Sequence, residues 1–376
     1  SGTALDDFFV GLESNDQMSG GAGSDTYLVE PDGGVDTIID LANGTEDNLV
    51  IFPDGVTLDD IRLSFDANEG YLIIESSATG NTVRLSGFDP ADPLGARAVE
   101  RFRFGEGGPE ISYEELLSRG FDIIGTAESD QLSGTTLQDR IQGLAGSDLI
   151  DATPGGDLLT GGAGNDQYVV NLGDGIVTID DNALQGEGNV LRFGDGISTD
   201  NLRTNLRFEA DGLGGYVLLL PYGNEGDVVR LLGFNPDDVE NGGHAVEQFE
   251  FADGTVVDYA TLISWTFVVE GDNTANGLSG TSVGDRLYGY AGDDLLEAGA
   301  GNDVLTGGSG DDELDGGTGR DAYVVNLGDG QDVVFDTIES GIGNIVTFGA
   351  GIAREDVRFE QDGADLIVQY GALGDS

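Results

Sequence analysis

Apolar and polar residues alternate along much of the chain in short runs with a period of two. Between Asn48 and Phe104 these runs are NLVIF, IRLSFD, YLIIES, TVRLSGF and VERFRF, and between Asn189 and Phe251 they are NVLRF, LRFEAD, YVLLLP, VVRLLGF and VEQFEF. Such alternation predicts half-buried strands. Two segments depart from it, SYEELLSRG and DYATLISWTF, and each predicts a short helix, with Ser112 and Asp258 as N-caps.

Between the strand-rich segments a nine-residue period takes over. Written in nines from Gly271 the chain reads GDNTANGLS, GTSVGDRLY, GYAGDDLLE, AGAGNDVLT, GGSGDDELD and GGTGRDAYV. The sixth column holds Asn276, Asp285, Asp294, Asp303, Asp312 and Asp321, and the eighth is always apolar, Leu278 through Leu314 and then Tyr323. A second block opens at Gly125, with Asp130, Asp139, Asp148, Asp157 and Asp166 in column six. A shorter one opens at Gly2, with Asp7, Asp16 and Asp25. Glycines fill columns one, two and four in most rows: Gly20, Gly21 and Gly23 in the first block; Gly143, Gly146, Gly161, Gly162 and Gly164 in the second. In the third block they are Gly289, Gly292, Gly299, Gly301, Gly307, Gly308, Gly310, Gly316, Gly317 and Gly319.

Glycine allows positive φ, so a tight turn can aim carbonyl oxygens inward, and a carboxylate at column six completes an all-oxygen cage. Such a cage suits a hard cation such as Ca²⁺ and offers no soft ligand for zinc or copper. The last three residues of each row form a short strand with column eight pointing inward. Stacking such strands at about 4.8 Å builds a parallel roll with a thin apolar core.

The rows resemble the RTX, or haemolysin-type calcium-binding, nonapeptide repeat. The resemblance implies two nonapeptides per coil, with one Ca²⁺ between loops on the same side. The implied pairs are Asp7 with Asp25; Asp130 with Asp148, Asp139 with Asp157 and Asp148 with Asp166; and Asn276 with Asp294, Asp285 with Asp303, Asp294 with Asp312 and Asp303 with Asp321. That implies on the order of eight cations. The edge rows depart from the pattern: GTALDD and GTTLQD lack glycines at two and four, GDNTAN replaces the aspartate, and ATPGGD begins with Ala152 and carries Pro154.

Each block leaves through a similar phrase, DTYLVEPDGGVDTIID, DQYVVNLGDGIVTIDD or DAYVVNLGDGQDVVFD. The whole unit therefore repeats. The predicted class is all-β: tandem parallel β-roll blocks at 1–28, 125–169 and 270–324, each followed by a β-rich capping or linker segment with a short helix, at 29–124, 170–269 and 325–376. The capping segments resemble the haemolysin-type calcium-binding-related regions that follow RTX blocks in large secreted bacterial proteins, and the block-flanking linkers of the adenylate cyclase toxin. Their expected role is to cover strand edges and apolar roll ends. The third copy stops at LIVQYGALGDS, before any counterpart of TVRLSGF. The sequence thus reads as a window cut from a longer tandem protein, its third cap expected to be the least stable region.

Charge sharpens the picture. Fifteen Lys and Arg face 71 Asp and Glu for a formal −56, so nucleic acid and anionic membrane are poor partners and multivalent cations good ones. Cysteine is absent, which removes disulfides and thiolate metal sites. No apolar run approaches a membrane span, and SGTALDDFFVGL has no basic n-region of a signal peptide.

No HExxH or GxSxG motif occurs, and the one histidine, His244, has no serine or cysteine partner identifiable near it, which predicts a solvated loop residue. Trp265 is expected to pack in the second short helix, and Arg97, Arg101 and Arg103 to face outward and pair with acids. The chain is thus expected to be non-enzymatic. The resemblance implies a calcium-folded segment of a large secreted RTX protein, exported by a type I channel and acting as a spacer, adhesive or surface-layer element. Its expected partners are calcium ions and either the cell surface or other copies. Two alternatives share the architecture: the RTX region of a secreted cytotoxin, and the accessory roll of a secreted enzyme whose catalytic domain lies elsewhere.

Overall fold

The computed structural model describes residues 1–376 except 32, 41–45, 182–186, 204, 224–225, 241–243, 338–342 and 371–376. The described residues lie mainly in short strands with a few single-turn helices, and the sheets are largely parallel, as a β-roll requires. The chain forms two compact units, Ser1–Arg192 and Phe193–Ser376.

In the first unit, strand Phe8–Gly11 pairs parallel with Thr26–Val29, placing Phe8 opposite Thr26. Leu132 lies opposite Ile150, Ile150 opposite Tyr168 and Ile141 opposite Leu159. Partners are thus 18 residues apart, two nonapeptides per coil, and odd and even rows build separate sheets. In the second unit Leu278 lies opposite Leu296, Leu296 opposite Leu314, Leu287 opposite Leu305 and Leu305 opposite Tyr323. Column eight fills the interior, since Ile141, Ile150, Leu159 and Tyr168, and likewise Leu287, Leu296, Leu305 and Leu314, are wholly buried. In the third block this core is one residue thick, with Ala298 and Tyr323 completing the cluster.

The rolls run past the repeats at both ends. Phe121–Ile124 and Phe267–Glu270 precede the second and third blocks in the same 18-residue register. After the first block, Val35–Ile38 joins at an offset of 20 (Gln17 opposite Thr37) and Leu49–Phe52 at an offset of 23 (Thr26 opposite Leu49). Val333–Phe335 and Ile345–Phe348 repeat both offsets after the third block.

The first cap is the antiparallel set Ile61–Asp66, Tyr71–Ser76 and Thr82–Ser86, which joins the roll through Val35–Ile38. Its Leu63, Leu72, Ile74 and Leu85 share one core with Met18 and Tyr27 of the block, so the roll end is covered by apolar packing. The helix Tyr113–Leu117 carries the expected cap: Ser112 Oγ accepts the Glu115 N–H at 3.1 Å, and the Glu115 carboxylate accepts the Ser112 N–H at 2.7 Å. In the second unit Asp258 caps Tyr259–Ile263 through the Thr261 N–H at 2.7 Å. That helix ends at Ser264, so Trp265 is not in it. The ring is buried beyond the helix end, with the Arg203 guanidinium 4.9 Å from its centre. Arg203 belongs to Thr199–Arg203, a short helix that the period-two text of the sequence does not announce.

Candidate metal centres

Column six is where the rolls concentrate charge away from water. Asp25, Asp148, Asp157, Asp166, Asp294, Asp303, Asp312 and Asp321 are all buried. Each joins the acid or amide 18 residues before it through one repeated contact, in which the earlier backbone N–H donates to the later Oδ1. Asp7 donates to Asp25 at 2.8 Å, Asp130 to Asp148 at 2.8 Å, Asp139 to Asp157 at 2.7 Å and Asp148 to Asp166 at 2.8 Å. In the third block Asn276 donates to Asp294 at 2.7 Å, Asp285 to Asp303 at 2.7 Å, Asp294 to Asp312 at 2.8 Å and Asp303 to Asp321 at 2.9 Å. All eight pairs expected from the sequence are brought together.

The second carboxylate oxygen decides what the pairs can do. Oδ2 of Asp25, Asp148, Asp157, Asp166, Asp294, Asp303 and Asp312 is buried without a hydrogen-bond donor. An ionised carboxylate left so is costly unless a cation reaches it. Burial pushes Asp157 up to about 8 and Asp303 up to about 7, and coulombic repulsion, from Asp139 on the first and Asp285 on the second, adds to both shifts. Among the described residues no three acidic or histidine side chains converge, so a cation here would take most of its ligands from carbonyls and water. Ca²⁺, which accepts roughly 6–8 oxygen ligands in flexible geometry, fits such a donor set.

The first coil of each block is built differently. Thr3, Thr126, Thr135 and Thr281, at column two, each donate a backbone N–H and a hydroxyl to Oδ2 of the acid four residues on. For Thr281 and Asp285 the distances are 2.6 and 2.9 Å. Asp7, Asp130 and Asp139 are therefore satisfied locally, as is Oδ2 of Asp285, whose Oδ1 stays buried without a donor. Leu12 N–H serves Asp16 in the same way at 2.9 Å, and Asp272 N–H serves the Asn276 amide oxygen at 2.7 Å. An uncharged asparagine meets this requirement, which accounts for Asn276.

The same difference explains where glycine is needed. At Gly310, φ is +145°, and a Cβ would run into the backbone carbonyl of Gly292, one coil earlier. Rows of the first coil carry Leu5, Ser14, Glu128, Leu137, Thr274 and Val283 at this column, and none of them has positive φ. Gly310→Ala is expected to destabilise the third block by about 2–4 kcal/mol, from a strained φ and a backbone displacement. Thermal unfolding in saturating Ca²⁺ checks this, and a melting point equal to the parent's would count against the stacking. At column two, Leu144, Thr153 and Tyr290 hold positive φ without being glycine.

Sequence reasoning missed a closure at the exit of each block. The Tyr27 hydroxyl donates to Asp40 at 2.5 Å, Tyr168 donates to Asp181, and Tyr323 donates to Asp336 at 2.5 Å. Asp25, Asp166 and Asp321 donate their N–H to Asn48, Asn189 and Asn344, each 23 residues on, at 2.7, 2.8 and 2.9 Å. The signal was present in the repeated exit phrases, where the Tyr-to-Asp spacing of 13 is constant.

The remaining expectations are mostly met. Arg101 pairs with Asp47 and Glu110 at 2.6 Å each, Arg103 with Glu110, and Arg97 with Glu114. His244 differs from a solvated loop residue: its ring stacks on Tyr259 at 4.0 Å and 8°.

The chain matches a family model described as "RTX calcium-binding nonapeptide repeat (4 copies)" at residues 1–30, at 124–159, 133–168 and 142–177, and at 269–305 and 288–323. Residues 218–261 match one described as "Haemolysin-type calcium binding protein related domain". No curated protein matches the chain. Among solved structures, the crystal structure of extracellular lipase LipA from Serratia marcescens is similar at 18% identity and a TM-score of 0.24, over 62% of this chain and 37% of that one. The chain therefore spans well under half that protein's length, and a likeness this loose carries no argument about activity.

Proposed function

Because the chain carries RTX calcium-binding nonapeptide repeats in three blocks together with a haemolysin-type calcium-binding-related segment, we propose that it is a calcium-folded structural segment of a larger secreted protein. In this reading the later member of each column-six pair supplies Oδ2 to the cation, and the glycine turns supply carbonyl oxygens. The observation that carries it is the recurrence of a buried, donor-less Oδ2 on the later acid of successive pairs.

The chain's own part in the mechanism is to hold carboxylates where only a multivalent cation relieves them. Where calcium is scarce the blocks stay open, and where it is millimolar, binding and folding proceed together. Such a switch keeps a chain threadable for export, by a type I channel in this reading, and rigid outside the cell. The folded rolls then act as a spacer or adhesive element at the surface.

Native mass spectrometry, or equilibrium dialysis in millimolar Ca²⁺, tests the assignment, with about eight ions expected from the nonapeptide pairs. Uptake of none would overturn the proposal, and Mg²⁺ at the same concentration is expected to leave the sites largely empty, because it demands stricter octahedral geometry.

A further inference from the structure

Beyond the last recognisable row of the first and third blocks lies another aspartate that accepts the same backbone contact. Asp16 N–H donates to Asp36 Oδ1 at 3.1 Å, and Asp312 N–H to Asp332 Oδ1 at 3.2 Å. Both pairs are 20 residues apart, so two inserted residues take them out of the nine-residue frame. Neither Asp36 nor Asp332 falls inside a matched repeat. Asp36 is wholly buried, and its Oδ2 has no hydrogen-bond donor, as in the nonapeptide acids. A Cβ on Gly11 would run into that oxygen, so the chain leaves a glycine where the carboxylate lies.

The strands put these residues in register. Gln17 lies opposite Thr37 and Glu313 opposite Val333, which sets Asp16 beside Asp36 and Asp312 beside Asp332. The second block has the same register, Leu158 opposite Thr178, but the residue beside Asp157 is Val177.

We propose two further calcium sites, outside the nonapeptide rows, built on Asp16 with Asp36 and on Asp312 with Asp332, and closed in the second block by Val177. The proposal rests on the calcium reading of the nonapeptide pairs. It makes the coil that passes into each cap metal-dependent in two copies and metal-free in one. The inserted residues widen the turn without shifting the strand, so the acid keeps its place beside the preceding coil.

Calcium counting on the full chain tests it with three proteins: the parent, the double variant Asp36→Asn with Asp332→Asn, and Val177→Asp. The parent is expected to hold about ten ions, the double variant about two fewer and Val177→Asp about one more. Equal counts in all three overturn the inference while leaving the nonapeptide reading standing. A parent that takes up no calcium overturns both. Should the double variant fail to fold at saturating Ca²⁺, Val177→Asp decides alone, since a gained ion cannot come from unfolding and an unchanged count refutes the extra site.

Discussion

In EDTA the parallel β-structure of the three blocks is expected to collapse and to return on addition of millimolar Ca²⁺, followed by far-ultraviolet circular dichroism. Two carboxylates held about 5 Å apart on successive coils repel by about 3 kcal/mol at an effective dielectric of 20. Over the seven such pairs, the Asn276 pair being uncharged on one side, the sum is about 20 kcal/mol, above the 5–15 kcal/mol by which domains are usually stable. Taking up protons instead costs about 4 kcal/mol per aspartate at neutral pH. Leu287, Leu296, Leu305, Leu314 and Tyr323, one side chain per row, cannot offset this alone. A spectrum already rich in β-structure in EDTA and unmoved by Ca²⁺ would sink the folding switch.

Asp303→Ala is expected to be the most damaging single substitution in the third block. Asp303 belongs to two pairs, accepting the N–H of Asp285 on Oδ1 and donating its own N–H to Asp321. Its loss strands the buried Asp285 amide and removes the carboxylate with the donor-less Oδ2. A penalty of about 4 kcal/mol, spread over the block's four nonapeptide pairs, raises the calcium midpoint for that block roughly fivefold. Thr281→Ala perturbs only a first-coil cap and is expected to shift it about twofold, since the hydroxyl's bonds to Asp285 and from the Val283 N–H are lost while the Thr281 N–H remains. Calcium titrations of both variants separate the roles, and equal midpoints for the parent and Asp303→Ala would refute the ligand assignment.

The pairs were legible because the roll translates a period of nine into space without distortion: two rows make one coil, so Asp285 and Asp303 meet whatever occupies the columns between. The cap strands were legible for a similar reason, as in YLIIES, which became Tyr71–Ser76. Legibility failed where insertions preserved register but broke the period. Asp36 sits 20 and Asn48 23 residues beyond its partner, so a search in nines passes over both. The irregular first rows were harder for another reason. Their missing glycines look like decay in the sequence, whereas in the structure the first coil has no repeat coil beneath it to demand them. Trp265 lies past its helix because Ser264 ends the turn, its N–H reaching back to Ala260.

The two ends of a roll are finished on different scales. At the start, Thr281 serves Oδ2 of Asp285 from four residues away, whereas at the exit Asp321 depends on Asn344, 23 residues on, and Tyr323 on Asp336. A new opening row therefore needs only a backbone N–H four residues before its own acid or amide, while a new stopping point needs an entire cap. Length is adjustable at one end and fixed at the other. Such a rod can be lengthened or shortened over evolutionary time in steps of about 4.8 Å at its beginning, with the joint to the next module left untouched.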